Sequence, residues 1–517
     1  MSLFRSIATV GGFTMLSRIT GLLREMAIAH FLGAGAVADA FFVAFRFPNL
    51  FRSLFAEGAF NTAFIPLFTG KLSAEGPDAA HLFAERAMAV LALALILFVI
   101  VMELAMPWAM FALAPGFDTV PGKMDLAVDL SRICFPYLLF ISLTSLQAGV
   151  LNSLGRFAAA AGTPVLLNIT SIAALWALVP VTPTAGHAMA WGTFAAGIVQ
   201  FFWLVFSVRK AGMPLRLVRP KITSEVGLLF RRVVPGAVGA GVYQVNLVIN
   251  TMIASTVANG AVSLLNYADR VNQLPLGVIG IAIGTALLPL LSRQLKEGDT
   301  AAAITSQNRA MEFGLLMTLP AAVALICIPV PVIRVLFERG SFGPAETEAT
   351  ASALAAFAIG LPAYVLIKVL TPGFFAREDT ATPVRVAMAT MALNVVLNLA
   401  LVNSLAHVGM ALSTALSSWF NVIVLAVLLK RRGFFAMDPR LLARLPRILA
   451  AAAVMAAVLW GGKTLLWPWA SSQLAALGLL AALVTLGLLA FAVAAQVSGA
   501  AHLSEIKAMM RRSSRSS

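Results

Sequence analysis

The sequence has little charge and almost no cysteine. Only 11% of its 517 residues are charged and 60% are hydrophobic, whereas about 25% of the residues in a soluble domain are charged. This composition predicts a polytopic membrane protein, and apolar stretches recur along the chain without room for a separate soluble domain. The two cysteines, Cys134 and Cys327, lie in apolar stretches, so we expect neither a disulfide bond nor a thiolate metal site.

The sequence also lacks the motifs of the common enzyme classes. Five scattered histidines form no metal-binding spacing: His30, His81, His187, His407 and His502. There is no P-loop, Walker pattern or nucleophile elbow, and acidic residues are too sparse for an aspartate-rich metal site. We therefore predict no catalysis, no resident cofactor and no metal. Charged residues interrupt the first apolar stretch, so we expect no cleaved signal peptide.

The apolar stretches predict an all-α fold with about fourteen transmembrane helices, since a helix needs about 20 apolar residues to cross a bilayer. The predicted spans are 4–30, 36–69, 83–113, 129–154, 159–180, 186–208, 226–257, 261–292, 308–336, 347–376, 382–403, 408–430, 445–467 and 473–498.

Basic residues are concentrated in alternate connections between these spans. The rich set contains Lys71, Arg156, Arg209, Lys210, Arg216, Arg219, Lys221, Arg231, Arg232, Arg293, Lys296, Arg377, Arg385, Lys430, Arg431, Arg432, Arg440 and Arg444. The other set is nearly free of Lys and Arg, with Lys123 and Arg339 as the main exceptions. By the positive-inside rule, the rich set and both termini are cytoplasmic. The net charge of +15 is then explained by topology and attraction to anionic lipid, and we predict no nucleic-acid partner.

An internal repeat is visible when the chain is shifted by about 224 residues. Residues 36–60 then lie beside residues 261–284, and Arg46 aligns with Arg270. The shift spans six predicted helices, so the two halves have the same orientation in the membrane. Two such halves predict a transporter with a cavity at their interface. The predicted domains are an N-terminal six-helix lobe, a C-terminal six-helix lobe, and two extra helices with a basic tail, at 1–220, 221–435 and 436–517.

Four arginines in otherwise apolar segments are the candidate substrate-binding residues: Arg18, Arg24, Arg52 and Arg270. An arginine at the bilayer centre costs roughly 2.5–3.5 kcal/mol, so we expect these side chains to face an anion in a hydrated cavity. A guanidinium donates two parallel hydrogen bonds to an oxyanion, and several together suit a diphosphate. For Arg24, an ion pair with the adjacent Glu25 is the alternative. Arg18 has no acidic neighbour three or four residues away, and Arg52 has no evident partner, so we expect Arg52 to be free to meet a ligand.

Three charged residues of the second span are candidates for lining or gating the cavity. Asp39, Arg46 and Glu57 project within about 20° of one direction on a helix. Pairing within this set is the alternative interpretation. Pro48 is expected to kink the helix between them.

Three polar residues of the later spans complete the candidate set. Asp269 and Gln273 flank Arg270, and neighbours on a helix do not face each other, so Arg270 is not expected to pair with Asp269. Lys368 is expected to be buried among aliphatic residues, in a helix that ends at Pro372-Gly373. It is either an ion-pair partner or a cavity residue.

Several motifs of this chain resemble those of the MurJ (MviN) family of lipid II flippases. They are SRITGLLRE at 17–25, ADAFFVAFRFPNLFRSLFAEGAF at 38–60, YADR at 267–270 and PGFFAREDTATPV at 372–384. The family belongs to the multidrug/oligosaccharidyl-lipid/polysaccharide exporter superfamily, and the resemblance covers essentially the whole chain. It implies a flippase that moves the undecaprenyl-diphosphate-linked peptidoglycan precursor across the bacterial inner membrane by alternating access, for cell-wall synthesis.

The resemblance also implies roles for individual residues. The family's cavity arginines correspond to Arg18, Arg24, Arg52 and Arg270, and Asp39 corresponds to a further essential charge. The helices at 445–498 would form a groove for the lipid tail. The implied partners are lipid II, membrane lipids and the cell-wall synthesis machinery.

This chain departs from the family pattern at two positions. Gln273 stands where some members have an acidic residue, and Ser53 where some have a second basic residue. Some members bind sodium as a coupling ion. Asp379, Asn394 and Asn398 are the places where such an ion would be sought here.

Three other functions remain open from the residues alone. A flippase for another polyprenyl-linked glycan would handle the same diphosphate and tail. A drug or metabolite antiporter of the same superfamily would need acidic and aromatic residues for cationic drugs, and the arginines disfavour it. A membrane glycosyltransferase or phosphatase would need an acid/base cluster, which the sequence does not show.

Overall fold

The computed structural model describes residues 3–53 and 59–501. Glu57 and the basic tail from residue 502 onward lie outside the described residues, so the predictions made for them stay predictions. Within the described ranges the chain forms seventeen α-helices. They are α1 (Leu3–Leu32), α2 (Ala36–Arg52), α3 (Ala59–Glu75), α4 (Pro77–Leu113), α5 (Lys123–Cys134), α6 (Tyr137–Ser153), α7 (Phe157–Leu178), α8 (Ala185–Lys210), α9 (Ser224–Val257), α10 (Ala261–Lys296), α11 (Thr300–Cys327), α12 (Pro329–Phe337), α13 (Pro344–Ile359), α14 (Leu361–Phe375), α15 (Ala381–Arg431), α16 (Pro439–Leu466) and α17 (Gln473–Ser498).

The predicted all-α fold is confirmed, and each predicted span corresponds to helix. Three predicted spans are broken into two helices each: α5/α6, α11/α12 and α13/α14. The predicted span 36–69 contains α2 and α3, and the residues between Ser53 and Ala59 lie outside the described residues. Proline contributes to these breaks, since Pro329 begins α12 and Pro362 lies in the first turn of α14. The reverse occurs in α15, where two predicted spans are continuous except at Ala406, whose φ is 48°.

Within the described residues, nine helical segments are long and apolar enough to cross a membrane. The four candidate arginines lie on α1, α2 and α10.

The chain folds as two compact units. The first contains residues Met1–Ser263 together with the turn Arg339–Phe342, and the second contains Leu264–Glu338 and Gly343–Ser517. In the first unit this turn packs on the end of α1, where the Ser341 amide donates to the His30 carbonyl at 2.8 Å. The predicted domain boundaries near residues 220 and 435 stay predictions. They were based on two lobes with the same orientation in the membrane, and the division into compact units does not test that orientation.

Prolines inside the helices are accommodated locally. In α7, Pro164 has no N–H for the carbonyl of Ala160, and the Thr163 hydroxyl donates to that carbonyl at 2.8 Å instead. In α2, Pro48 is buried and the helix continues through it to Arg52, so the predicted kink does not end the helix.

Candidate anion-binding site and its buried charges

Arg18 lies on α1 beside the surface that packs against α7. The Asn168 amide of α7 donates to the Ser17 carbonyl at 3.1 Å and to the Thr20 hydroxyl at 3.0 Å. Arg18 points about 100° away from Ser17 around the helix. It is half-buried, and within the described residues no side chain or backbone group hydrogen-bonds or ion-pairs with it. Its guanidinium is therefore available to an anionic ligand.

Arg24 is buried on the same helix and is only partly satisfied. Its Nη2 donates to Glu25 Oε1 at 2.8 Å, so the alternative interpretation, an ion pair between neighbours, is present. The Nε of Arg24 is buried and has no hydrogen-bond acceptor in the described part of the chain. A buried donor without an acceptor is costly, so this N–H is a second place where a ligand oxygen would be stabilised.

Asp39 is fully buried and saturated with donors. Its Oδ2 accepts from Lys123 Nζ at 2.8 Å and from the Gly260 amide at 2.7 Å. Its Oδ1 accepts from both the amide and the hydroxyl of Ser263 at 2.8 Å. A carboxylate with four such donors has little capacity left for a substrate. Asp39 therefore joins α2 to α5 and to the start of α10.

Lys123 is the residue of this group that the sequence analysis did not recognise. It is 2% exposed, donates also to Asn259 Oδ1 at 2.9 Å, and lies 4.2 Å from the centre of the Phe117 ring. The available signal was its position as a lone cation in a connection otherwise poor in charge. A solvated loop lysine needs no partner, whereas this lysine neutralises Asp39.

The turn before α10 depends on glycine for this arrangement. Gly260 has a φ of +92°, and an added Cβ would lie 2.8 Å from the Ala34 carbonyl oxygen. Only glycine adopts this conformation without strain and permits so close an approach. The backbone N–H of Gly260 is thereby presented to Asp39.

The remaining charges of α2 have protein partners. Arg46 donates to the Thr251 hydroxyl of α9, so it contacts a neighbouring helix rather than Asp39. Arg52 is half-buried and its Nε donates to Asn49 Oδ1 at 2.9 Å. The expectation that Arg52 has no partner is therefore wrong, because an amide three residues earlier lies on the same helix face. The adjacent Ser53 hydroxyl accepts from Gln244 at 2.8 Å.

In the second unit, the polar residues of α10 have different environments. Gln273 donates to Asp269 one turn away, Arg270 is exposed, and Tyr267 is fully buried against Phe337. Asp269 is thus occupied along its own helix.

The structure corrects two expectations about Lys368. Its side chain is exposed rather than buried, and its Nζ lies so close to α10 that a Cβ at Gly280 would be 2.7 Å away. In addition, α14 continues through Pro372-Gly373 to Phe375, and the break lies earlier, at Gly360. Gly373 is needed for packing, because its missing Cβ leaves room for Gln307.

Asp379 is poorly suited to bind sodium. It accepts from the amide and the hydroxyl of Thr382 at 2.9 and 2.6 Å, and from Arg432 at 2.5 Å. These hydrogen bonds, first those from Thr382, hold the pKa of the Asp379 carboxyl well below its usual range. The carboxylate caps α15 and pairs with a cation at the other end of that helix. A coupling ion at this place stays a prediction.

The other two candidate sodium positions are amides. Asn394 and Asn398 are buried, and Asn398 donates to Asn394 at 3.3 Å. In the described residues, no group of three His, Cys, Asp or Glu side chains is placed to hold a metal. A coupling sodium ion stays a prediction at Asp379, Asn394 and Asn398.

A second group of arginines is fully paired. Glu312, on α11, accepts from Arg309 of the same helix and from Arg440 and Arg444 of α16. Arg309 also pairs with Asp438, which caps α16. From the sequence, Arg440 and Arg444 indicated only a cytoplasmic connection. Their structural partner Glu312 was missed because it is 128 or more residues away in sequence.

Comparison with known proteins identifies the family. The model of the family "Lipid II flippase MurJ" matches residues 28–480. The chain belongs to the MurJ lipid II flippase family. A probable lipid II flippase MurJ of Rhizobium meliloti is 46% identical over 523 residues, which cover 99% of this chain and 97% of that protein. The lipid II flippase MurJ of Burkholderia cenocepacia is 38% identical over 466 residues, 89% of this chain and 90% of that one.

Solved structures show the same fold. A lipid II flippase MurJ in an inward closed conformation matches with a TM-score of 0.78 and 24% identity, over 94% of this chain and 98% of its own. An inward-facing MATE multidrug transporter matches with a TM-score of 0.68 and 16% identity, over 83% and 98%. The predicted family and a multi-pass inner-membrane transporter are therefore confirmed. MurJ membership places the chain among transporters.

Proposed function

We propose that this protein translocates lipid II across the inner membrane by alternating access, and that Arg18 and Arg24 bind its diphosphate. Arg270 and Arg52 are proposed to contribute further donors. The proposal rests on family membership for the substrate and on the pairing of individual arginines for the site.

The main support for the proposed substrate site is Arg18, which is half-buried and has no hydrogen-bond or ion-pair partner in the described chain. Insertion of an arginine into a membrane costs roughly 2.5–3.5 kcal/mol when nothing compensates its charge. Other buried arginines of this chain have carboxylates, as Glu312 shows for Arg444. A chain that can build such pairs and leaves Arg18 without one is best explained by an anion supplied from outside.

Arg24 fits the same role through a different geometry. Glu25 occupies one end of its guanidinium and holds it in place, while the buried Nε keeps a donor available. A guanidinium can bind two oxyanions at once because it has five donors in one plane. Glu25 therefore orients Arg24 in this proposal and does not replace the substrate.

Asp39 is proposed to act on the protein and not on the substrate. All of its hydrogen bonds go to Lys123, Gly260 and Ser263. Its loss would release the turn before α10 from α2. The loss of Asp39 would then impair a conformational change during transport without removing a contact to the substrate.

Both termini are proposed to be cytoplasmic. The contrast in Lys and Arg between alternate connections supports this orientation. Lys123, a main exception to that contrast, is buried and neutralised by Asp39, so it does not weaken the charge argument. We also propose the cell-wall synthesis machinery as a partner, on family resemblance alone.

The test is lipid translocation by the purified protein in vesicles that contain fluorescent lipid II. The readout is the fraction of head group that becomes accessible to a membrane-impermeant reagent. Arg18→Ala and the double variant Arg24→Ala/Glu25→Gln are expected to lose translocation, while Arg293→Ala is the matched control. Arg293 is exposed and pairs only loosely with Glu297 at 3.7 Å.

Two results would contradict the proposal. Wild-type rates in both α1 variants would remove these arginines from the site. Equal translocation of lipid II and of a polyprenyl-diphosphate with an unrelated glycan would remove the head-group specificity, while leaving the anion site intact.

A further inference from the structure

The connection between α8 and α9 has an unusual combination of residues. Residues 211–223, called the strap from here on, form no helix or strand. They contain Arg216, Arg219 and Lys221 and no acidic residue. Two large aliphatic side chains of the strap are open to the surroundings, since Leu217 is 71% exposed and Ile222 is 76% exposed.

The strap is held at both ends and so cannot turn these side chains freely inward. At its start, the Arg216 amide donates to the buried Glu85 at 2.8 Å, and the Pro214 carbonyl contacts His81 at 2.9 Å. Met213 is 7% exposed and packs inward. At its end, Thr223 caps α9 through its hydroxyl and the Val226 amide.

These ties hold the strap in one orientation. Met213 is directed into the protein, while Leu217 and Ile222 point outward and alternate with cations. Aliphatic side chains in water are unfavourable, and basic residues beside them do not cover them. The outward face of the strap therefore fits a partner with an apolar layer, which would cover Leu217 and Ile222, beside an anionic layer, which would bind the cations.

We propose that the strap binds the surface of an anionic lipid leaflet. Leu217 and Ile222 insert among the acyl chains, and Arg216, Arg219 and Lys221 contact the lipid phosphates. The strap joins the last residue of α8 to the first residue of α9, Lys210 to Ser224, so it lies where two predicted membrane helices leave the membrane. An apolar side chain flanked by cations at that level is the pattern of an interfacial anchor.

The test places a nitroxide label at Leu217→Cys and, separately, at Ile222→Cys. Label depth is measured as the accessibility to oxygen against that to a water-soluble nickel chelate. The matched control is Glu297→Cys, in the turn after α10, which has no large exposed apolar residue. The parent protein is first treated with the label to measure the reaction of its native cysteines. Cys134 is not expected to react because it is buried. If the parent takes up no label, neither native cysteine is replaced.

The full-length protein is reconstituted in nanodiscs of phosphatidylethanolamine with phosphatidylglycerol, and in nanodiscs of phosphatidylcholine alone. Labels at 217 and 222 are expected to favour oxygen in the anionic discs, while the label at 297 favours the nickel chelate. Each cation at an anionic surface contributes on the order of fivefold. Replacing all three strap cations with Gln is expected to reduce insertion by on the order of a hundredfold.

Three outcomes would overturn the proposal. One is nickel accessibility at 217 and 222 as high as at 297. Another is insertion that is the same in both lipids and unchanged by the triple Gln variant. The third is shielding from both reagents, which would mean a protein partner. Lipid II translocation, measured in parallel, is independent of these results.

Discussion

The charges around Asp39 and the arginines of α1 lie in the same unit and differ in how their burial is compensated. Asp39 and Lys123 are 0% and 2% exposed, and both are hydrogen-bonded to protein groups. Arg18 has no partner in the described chain, and Arg24 keeps an unpaired Nε. Charges that hold the fold are neutralised within it, whereas charges proposed to bind substrate are left incomplete.

The second unit repeats the compensation seen at Asp39 on a larger scale. Glu312 is 7% exposed and is surrounded by three arginines from α11 and α16. The chain thus has the means to neutralise arginines when they serve structure. The incomplete pairing on α1 is therefore informative.

The largest expected effect comes from breaking the Asp39 pair. Lys123→Ala leaves Asp39 buried without its cation, and we expect a loss of about 3–5 kcal/mol of stability. Thermal unfolding in detergent measures it. Asp39→Asn/Lys123→Met should recover only part, because the Gly260 and Ser263 amides lose a charged acceptor. A Lys123→Ala protein as stable as the parent would contradict the conclusion that the Asp39–Lys123 pair holds the fold.

The next effect concerns Glu312. Glu312→Gln leaves three arginines without their shared carboxylate, and we expect a loss of about 1–3 kcal/mol, since Arg309 and Arg440 are partly exposed. The same unfolding assay applies. The α16–α17 pair should become more sensitive to protease than α4–α8. Uniform sensitivity along the chain would show that Glu312 does not hold α16.

Arg18 separates function from stability. Arg18→Ala removes no hydrogen bond or ion pair within the described chain, so stability should change by less than about 0.5 kcal/mol. Translocation should fall by about 10- to 150-fold, which corresponds to the loss of one charged hydrogen bond of about 1.5–3 kcal/mol. Arg18→Lys should recover part of the rate, because it restores the charge without the planar fork. A destabilised Arg18→Ala protein would place this residue with the structural charges instead.

The smallest effect is expected at Asp379, in the connection between α14 and α15. Its folded-state pKa lies below the usual value, so its contribution to stability is present above the unfolded pKa. That contribution is lost as pH falls through the folded pKa. Between pH 5 and 8 the stability difference between the parent and Asp379→Asn should be constant. A difference that changes within this window would contradict the assignment.

Much of this architecture follows from one-dimensional patterns. Apolar segments of about 20 residues predict spanning helices because the bilayer thickness sets their length. The motifs at 17–25 and 38–60 carry a resemblance to the family that the comparison with known proteins confirms. Breaks within a span were not predicted, as at Ile328 and Gly360, because hydropathy does not respond to a single residue that leaves helical geometry.

Pairing was the part that residue patterns could not supply. Glu25 beside Arg24 was visible in the sequence, but Lys123 lies 84 residues from Asp39, and Arg444 lies 132 residues from Glu312. Helix periodicity tells which residues share a face and says nothing about which helix that face meets. Arg52 was predicted to have no partner, but the Asn49 amide oxygen on the same helix face accepts from it.

The sequence by itself determined that the protein lies in a membrane, where its helices are, and which charged residues are candidates for function. Hydropathy, charge bias and motifs are local properties, so they can be read without the tertiary structure. Tertiary structure alone decided which of those charges are already satisfied. The cost of a buried charge depends on the groups within a few ångströms of it, and those groups come from distant parts of the chain. The same residue type can therefore hold the fold at Arg444 and remain available at Arg18.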